Sequence, residues 1–227
     1  HSITSGQFAG YTYEQMMEMK NSPDPDIQHK FEEIRQLGKA GNFGKLYGMG
    51  AEGFMDYAFN DFGVRLTMQQ SLEFDESFFG TYKGLKPYHA QQKADAKRYK
   101  QVRSPLGRVR HLPLIDSPRQ DIRAQAERQA INSPTQATLS DMMIWTFALC
   151  QQQLEEEYES GLILPFGVVH DAGYDYLKEE YVDELVKKQL DIMQNLPFHK
   201  VGWNPELQFT ADAKIGPNLA NMKKVKV

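Results

Sequence analysis

The stretch Arg35-Gln36-Leu37-Gly38-Lys39-Ala40-Gly41-Asn42-Phe43-Gly44-Lys45-Leu46-Tyr47-Gly48 decides how the chain is read. Arg35, Lys39, Phe43 and Tyr47 recur at intervals of four. A helix turns about every 3.6 residues, so this spacing lays them along one stripe with a slow drift. Phe31, Ile34, Leu37 and Leu46 recur at roughly helical spacing, which predicts a helix from Ile27 to about Gly48. Two cations followed by two aromatics offer phosphate contacts at one end and a stacking surface at the other. A core stripe with snorkelling cations is the alternative reading of the same pattern. Gly38, Gly41, Gly44, Gly48 and Gly50 lie in or beside the stripe. Each glycine weakens a helix by up to about 1 kcal/mol, which predicts that another chain or a ligand approaches closely here.

The rest of the composition bounds what this helix can belong to. The chain has 227 residues, 41% of them apolar and 25% charged, in the range of soluble globular proteins. One cysteine, Cys150, excludes an internal disulfide and a cysteine metal cage. The most apolar segment, Leu162 to Val169, is interrupted by Pro165 and Gly167 and is too short to span a membrane. The N-terminus has no basic region followed by an apolar run, so no signal peptide is expected. Net charge is −4, but it divides as −5 over residues 1–85, +7 over 86–128 and −6 over 129–227. The central block, with eleven basic side chains against four acidic, reads as a footprint for a polyanion or as a solvated helix face.

Secondary structure follows from periodicity and punctuation. Asn21-Ser22-Pro23-Asp24-Pro25-Asp26 is a loop. Helical patterns run through Glu52–Phe59, Met68–Tyr82 and Tyr88–Tyr99. Gln101–Pro113 reads as two short strands around Pro105-Leu106-Gly107. Ser133 as N-cap and Pro134 in the first turn predict the start of a long helix running to about Tyr158. Gly161–His170 and Tyr174–Leu177 read as an antiparallel strand pair, Glu179–Asn195 as an amphipathic helix and Leu207–Thr210 as a last strand. The fold class is α+β.

Four segments, in order, resemble those of family A DNA polymerases, the bacterial DNA polymerase I and phage replicase family. Arg35-x3-Lys39-x3-Phe43-Gly44-x2-Tyr47-Gly48 is similar to its fingers-helix signature. Gly107-Arg108-Val109-Arg110-His111-Leu112-Pro113 resembles its Gly-Arg-x-Arg-x-Leu-Pro turn. Arg128-x3-Asn132-x-Pro134-x-Gln136-x-Thr138-x2-Asp141 resembles its primer-template helix, and Val169-His170-Asp171 its motif C. Lys214-Ile215-Gly216-Pro217-Asn218 is similar to the tail of phage members.

The resemblance implies a right-hand polymerase fold: a helix-rich fingers subdomain over 1–125, with a nucleotide-binding helix at about 27–48 and a basic DNA-contacting region at 86–125. Part of an antiparallel-sheet palm would follow over 126–227. It implies template-directed DNA synthesis, in which a primer 3′-hydroxyl attacks the α-phosphate of a dNTP with two Mg2+ ions. Asp171 would be a metal-bridging carboxylate, with His170 near the primer terminus. Arg35 and Lys39 would hold the triphosphate, Phe43 would pack beside the deoxyribose, and Tyr47 would stack near the nascent base pair with Gly48 leaving room for the template base. His1, in His1-Ser2-Ile3-Thr4, resembles a triphosphate-contacting histidine a little after motif A. Arg128, Asn132 and Gln136 would read minor-groove acceptors common to all sequences, and Arg108 and Arg110 would grip the backbone.

Ala172 stands where the family's motif C carries Glu, and nothing matches motif A, the Asp-Tyr-Ser-like segment with the second metal carboxylate. The chain is therefore expected to be a C-terminal fragment whose partners are primer-template DNA, dNTP and an N-terminal polymerase part carrying motif A. That part would bring the second carboxylate, and this chain alone would be inactive. It is expected in the cytoplasm of a bacterial or phage-infected cell, away from membranes. A non-catalytic duplex-binding remnant of the same fold is the alternative. An unrelated His-Asp phosphohydrolase would need ligand spacing that His89, His111 and His199 do not provide.

Overall fold

The computed structural model describes residues 1–225. The chain divides into two compact units, one formed by His1–Val102 and Arg110–Ser133, the other by Arg103–Val109 and Pro134–Val227, whose last two residues lie outside the described range.

The first unit is helical. α1 spans Ser2–Ala9, α2 Tyr13–Lys20, α3 Pro25–Leu46, α4 Ala51–Phe62, α5 Met68–Thr81 and α6 Leu85–Tyr99. Local chemistry sets the helix starts. Thr12 and Gln15 form a capping box at α2, as Thr67 and Gln70 do at α5. The Asp24 carboxylate accepts from Asp26 N–H at 2.9 Å, and Pro25 occupies the first turn, where its missing N–H costs nothing. α3 therefore begins at Pro25 rather than Ile27. Leu37, Ala40, Phe54, Ala58, Phe74 and Phe78 build the main core from α3, α4 and α5. Ala96, Val102, Leu112, Ile115, Ala126 and Ala130 build a second one.

The largest departure from the sequence expectation is α7, which runs unbroken from Gln120 to Gln153 with Pro134 inside it. Ser133 is not its N-cap. An interior proline removes one helical hydrogen bond and costs about 3 kcal/mol. Burial on both sides outweighs this: Ala126, Ala130 and Ile131 precede the proline, and Met142, Met143 and Cys150 follow it. The disturbed turn also finds partners, since Ile131 carbonyl accepts from the Tyr88 hydroxyl at 2.9 Å and Pro134 carbonyl from Thr138 Oγ1 at 2.7 Å. The helix stops at Gln153, not Tyr158, and a short α8, Glu155–Glu159, follows.

β1 (Gln101–Arg103) and β2 (Val109–His111) form the expected hairpin. In the second unit β3 (Ile163–Val169) pairs antiparallel with β4 (Ala172–Leu177), with a bulge between Pro165 and Gly167. Gly173 admits α7 here: a Cβ would lie 2.6 Å from the Phe147 ring. α9 (Val182–Gln194) follows a single 3-10 turn and closes a core of Cys150, Leu154, Ile163, Leu185 and Ile192. Leu207–Thr210 is not a strand. Leu207 is exposed, and Phe209 instead joins a ring cluster with Phe198 and Trp203. The final pairing is β5 (Lys214–Ile215) with β6 (Lys223–Lys224). The class is α+β, helix-rich with small antiparallel sheets, as expected.

The α3 glycines give a direct test. A Cβ at Gly41 would meet the Phe74 ring at 2.2 Å, whereas one at Gly80 on α5 would meet nothing within 4 Å. Gly41→Ala should lower unfolding free energy by about 1–3 kcal/mol. Gly80→Ala should raise it by about 0.5–1 kcal/mol. Urea midpoints of the two variants check both.

Candidate functional site

α3 carries two faces of opposite character. Phe31, Leu37, Gly38, Ala40, Gly41, Gly44 and Lys45 are buried. A Cβ at Gly38 would lie 2.3 Å from the His1 carbonyl and one at Gly41 would meet Phe74, so the close approach predicted from the glycines is made by the chain's own α1 and α5. The other face presents the stripe. Arg35, Lys39 and Tyr47 are half-buried, and Phe43 is 46% exposed. The core-stripe alternative fails, because the core lies on the glycine side.

The packing of α1 delivers His1 to the stripe. Its ring lies 5.8 Å from the Phe43 ring, and its Nδ1 is 2.8 Å from Asn42 Nδ2. Arg35 makes one surface ion pair, to Glu32 at 3.3 Å, worth little in water. Lys39 has no ion pair among the described residues. His1, Arg35, Lys39, Phe43 and Tyr47 are thus brought together as one polar and aromatic strip with two cations and an imidazole.

Past Tyr47 the backbone turns sharply. Gly48 has φ +77°, the left-handed region that favours glycine. A Cβ there would lie 2.6 Å from Ile131 Cδ1 of α7. Both facts require glycine without reference to any ligand. His89 Nε2 on α6 donates to the Leu46 carbonyl at 2.9 Å, and burial holds this imidazole below its ordinary value, so it stays neutral as a structural donor.

Arg128 is exposed and Asn132 half-buried in the first unit, and Gln136 is exposed in the second. Because α7 is continuous through Pro134, they occupy i, i+4 and i+8 of one helix rather than a helix entrance. Asn132 Oδ1 is buried without a hydrogen-bond partner among the described residues. The central basic block is partly neutralised. Lys93 and Lys97 share Glu127, Lys100 pairs with Asp116 and Arg119 with Asp121. Arg108 clasps Asp141, with Nε at 2.8 and 3.1 Å from the two carboxylate oxygens and Nη2 also in contact. Arg108 is therefore engaged with a partner of its own, whereas Arg110 is exposed and without an ion pair among the described residues.

In the second unit, His170 and Asp171 form the two-residue tip between Val169 and Ala172. His170 has φ +56°, rarely adopted by a residue other than glycine, and both side chains are exposed. A carboxylate at a hairpin tip is a suitable oxygen donor for a hard cation. No group of three or more His, Cys, Asp and Glu that could hold a metal occurs among the described residues, so Asp171 is by itself one ligand and not a closed site. Beneath the hairpin lie groups the sequence reading missed. Asp175 Oδ2 accepts from Gln189 at 2.9 Å, while Asp175 Oδ1 and the Tyr158 hydroxyl are buried without a hydrogen bond of good geometry among the described residues. Burial pushes Asp175 up, Cys150 up to about 11 and Tyr158 up to about 12. Alternation along β4 could have flagged Asp175 as inward-facing.

Comparisons with known proteins bear on both units. The sequence pattern of DNA polymerase family A matches residues 16–221. DNA polymerase I of Geobacillus stearothermophilus is 30% identical over 175 residues, 74% of this chain and 19% of that protein. The DNA polymerase of Bacillus phage SP01 is 30% identical over 171 residues, 75% of this chain and 18% of that protein. The chain thus spans about a fifth of the length of such relatives. Among solved structures, the POL domain of Pol1 from M. smegmatis, in complex with DNA primer-template and dNTP, superposes with a TM-score of 0.67 at 22% identity. The match covers 86% of this chain and 30% of that one.

Asp175 makes a pH prediction. Its folded-state pKa is raised, so the native state holds the proton to higher pH than the unfolded chain does. The group therefore subtracts stability as pH rises from the ordinary carboxylate value, 3.8, through its raised value. Asp175→Asn should remove that loss, so its Tm should gain on the parent as pH rises from acid to neutral. Parallel Tm–pH profiles for the two would contradict it.

Proposed function

The chain belongs to DNA polymerase family A, and on that footing we propose that it is the fingers and C-terminal palm portion of a template-directed DNA polymerase. The first unit corresponds in this reading to fingers and the second to part of the palm. The observation that carries it is the outward stripe of α3: two cations, an aromatic pair and the His1 imidazole, presented on a helix whose back is locked by packing. Arg35 offers a planar fork to two phosphate oxygens and Lys39 a compact point charge. Phe43, exposed, offers a face for a sugar, and Tyr47 offers one for a base. Arg110, Arg128 and Gln136, all exposed, and the half-buried Asn132 contact primer-template DNA, and Arg108 contributes only through whatever its Asp141 clasp leaves free.

The chemistry is nucleotidyl transfer. The primer 3′-oxygen forms a bond to the α-phosphorus, the bond from that phosphorus to the bridging oxygen breaks, and pyrophosphate leaves. This demands positioning and charge neutralisation above all. Arg35 and Lys39 neutralise the triphosphate, Asp171 supplies one oxygen ligand, and His170 lies beside it at the tip. What two Mg2+ ions provide at such a site is activation of the attacking oxygen and stabilisation of the leaving one. The other carboxylate comes, in this reading, from an N-terminal polymerase part carrying motif A. The apolar, exposed surface of the β3–β4 hairpin supports such a partner: Leu164, Phe166, Val168 and Tyr176 are each 47–65% exposed on a sheet of two strands. No helix among the described residues is long and apolar enough to cross a membrane. Work on DNA in the cytoplasm fits the reading.

Primer extension tests it. The isolated chain should extend nothing, and the chain combined with the motif A part should extend in Mg2+. In that complex, Asp171→Ala should abolish synthesis with duplex binding kept, and Lys39→Ala should raise KM for dNTP or lower turnover. Phe43→Tyr should accept dideoxynucleotides more readily. Extension indifferent to Asp171→Ala would overturn the proposal and favour a duplex-binding remnant.

A further inference from the structure

The end of α3 is built on a buried charge. Lys45 is 0% exposed, among the largest fully buried side chains of the described residues. It follows Gly41 by four positions and so lies on the glycine face, against α4 and α5. Its ammonium is 2.5 Å from Asp75 Oδ1, sits 4.2 Å from the Phe54 ring centroid and donates to the Met49 carbonyl at 3.3 Å. Burial pushes the ammonium pKa down, and Asp75 works against that. The contact is close, yet Asp75 Oδ1 is buried and makes no hydrogen bond of good geometry among the described residues. Close charge without good hydrogen bonding is a poor way to gain stability. Well-packed apolar pairs of similar volume usually match or exceed a buried ion pair. Phe54 and its neighbours would accept such a pair.

What the ammonium does that an apolar side chain would not is reach across the turn. Gly48 N–H donates to the Lys45 carbonyl at 3.1 Å, and Met49 N–H to the Gly44 carbonyl at 3.0 Å. The Met49 carbonyl in turn accepts from Lys45 Nζ. Lys45 therefore holds the Tyr47–Gly48–Met49 turn from both its backbone and its side chain, while His89 ties the neighbouring Leu46 carbonyl. We propose that Lys45 and Asp75 are positioning residues, a fully buried ammonium and its half-buried carboxylate that fix this turn and so set where the Tyr47 ring stands at the base-contacting end of the stripe. They act through Tyr47 and Gly48 and touch no substrate. The consequence is on selection of the incoming nucleotide, which rests on the polymerase reading; the consequence on the turn does not.

Two readouts keep these apart. The first is hydrogen exchange on the 227-residue chain carrying Lys45→Met with Asp75→Leu. The Gly48 and Met49 amides should exchange about tenfold faster or more, with amides of 39–43 unchanged. General loosening of the helix would accelerate both sets alike. The second is incorporation kinetics by the chain combined with its motif A part. The double variant should show KM for dNTP raised about tenfold with kcat changed less than about twofold. Should the double variant not fold, Asp75→Asn keeps the shape and removes the counter-charge, and Gly48 and Met49 should again exchange faster than 39–43. Parent-like exchange at Gly48 and Met49 in a folded variant overturns the inference. A parent complex that extends no primer overturns the polymerase reading alone, and exchange then decides this one. Extension with unchanged KM in the double variant overturns the link to nucleotide selection.

Discussion

Gly38 and Gly41 set the distance at which α1 and α5 meet α3, and the first unit depends on that approach. A Cβ at either would lie 2.3 Å or less from the His1 carbonyl or the Phe74 ring, closer than any side chain tolerates. With these glycines the back of α3 is filled by its neighbours, so Arg35, Lys39, Phe43 and Tyr47 have only the open side left. The same contact brings His1 to Phe43 and Asn42, and buries Lys45 beside Asp75. Glycine's helix-weakening tendency, about 1 kcal/mol per residue, is offset by ring packing among Phe8, Phe54, Phe74 and Phe78. A binding surface is thereby held on a rigid element rather than a loop, which suits positioning chemistry.

Charge is arranged with similar selectivity. The block at 86–128 carries +7, yet Lys93 and Lys97 share Glu127, and Lys100, Arg108 and Arg119 each pair with a carboxylate. Those pairs are mostly exposed and contribute little to stability, but they lower the charge left for an outside polyanion. Lys86, Arg98, Arg103, Arg110, Arg123 and Arg128 have no ion pair among the described residues. Phosphate contact falls to this subset of the block, and salt dependence counts those residues first.

Much of this was legible in the residues. Spacing of four predicted the α3 stripe, and strand patterns predicted both hairpins, but the second turn is tighter than expected: His170 lies in it rather than in the strand, and β4 begins at Ala172 rather than Tyr174. The ordered motifs predicted the family, which needs no tertiary information. What was missed depends on contacts distant in sequence. Pro134 reads locally as a helix start, yet buried residues on both sides and the Tyr88 hydroxyl carry α7 through it. Leu207–Thr210 has strand-like residues and no partner strand, so it forms ring contacts instead. Lys45, Asp75 and His89 look like ordinary surface residues until the glycine face is recognised as the buried one. Lys45's offset of four from Gly41 was the available signal. Asp171 was legible as a motif residue, while its exposure at a tip and its lack of fellow ligands were visible only in the fold.

The central claim is that the outward stripe of α3 is the nucleotide surface. Photo-crosslinking of an azido-substituted deoxynucleoside triphosphate to the chain bound to primer-template duplex, followed by peptide mapping, tests it most directly. The account predicts label within residues 35–48, competed by unmodified dNTP and lost with Lys39→Ala. Competable label confined to another segment, or none in this stretch, would contradict it.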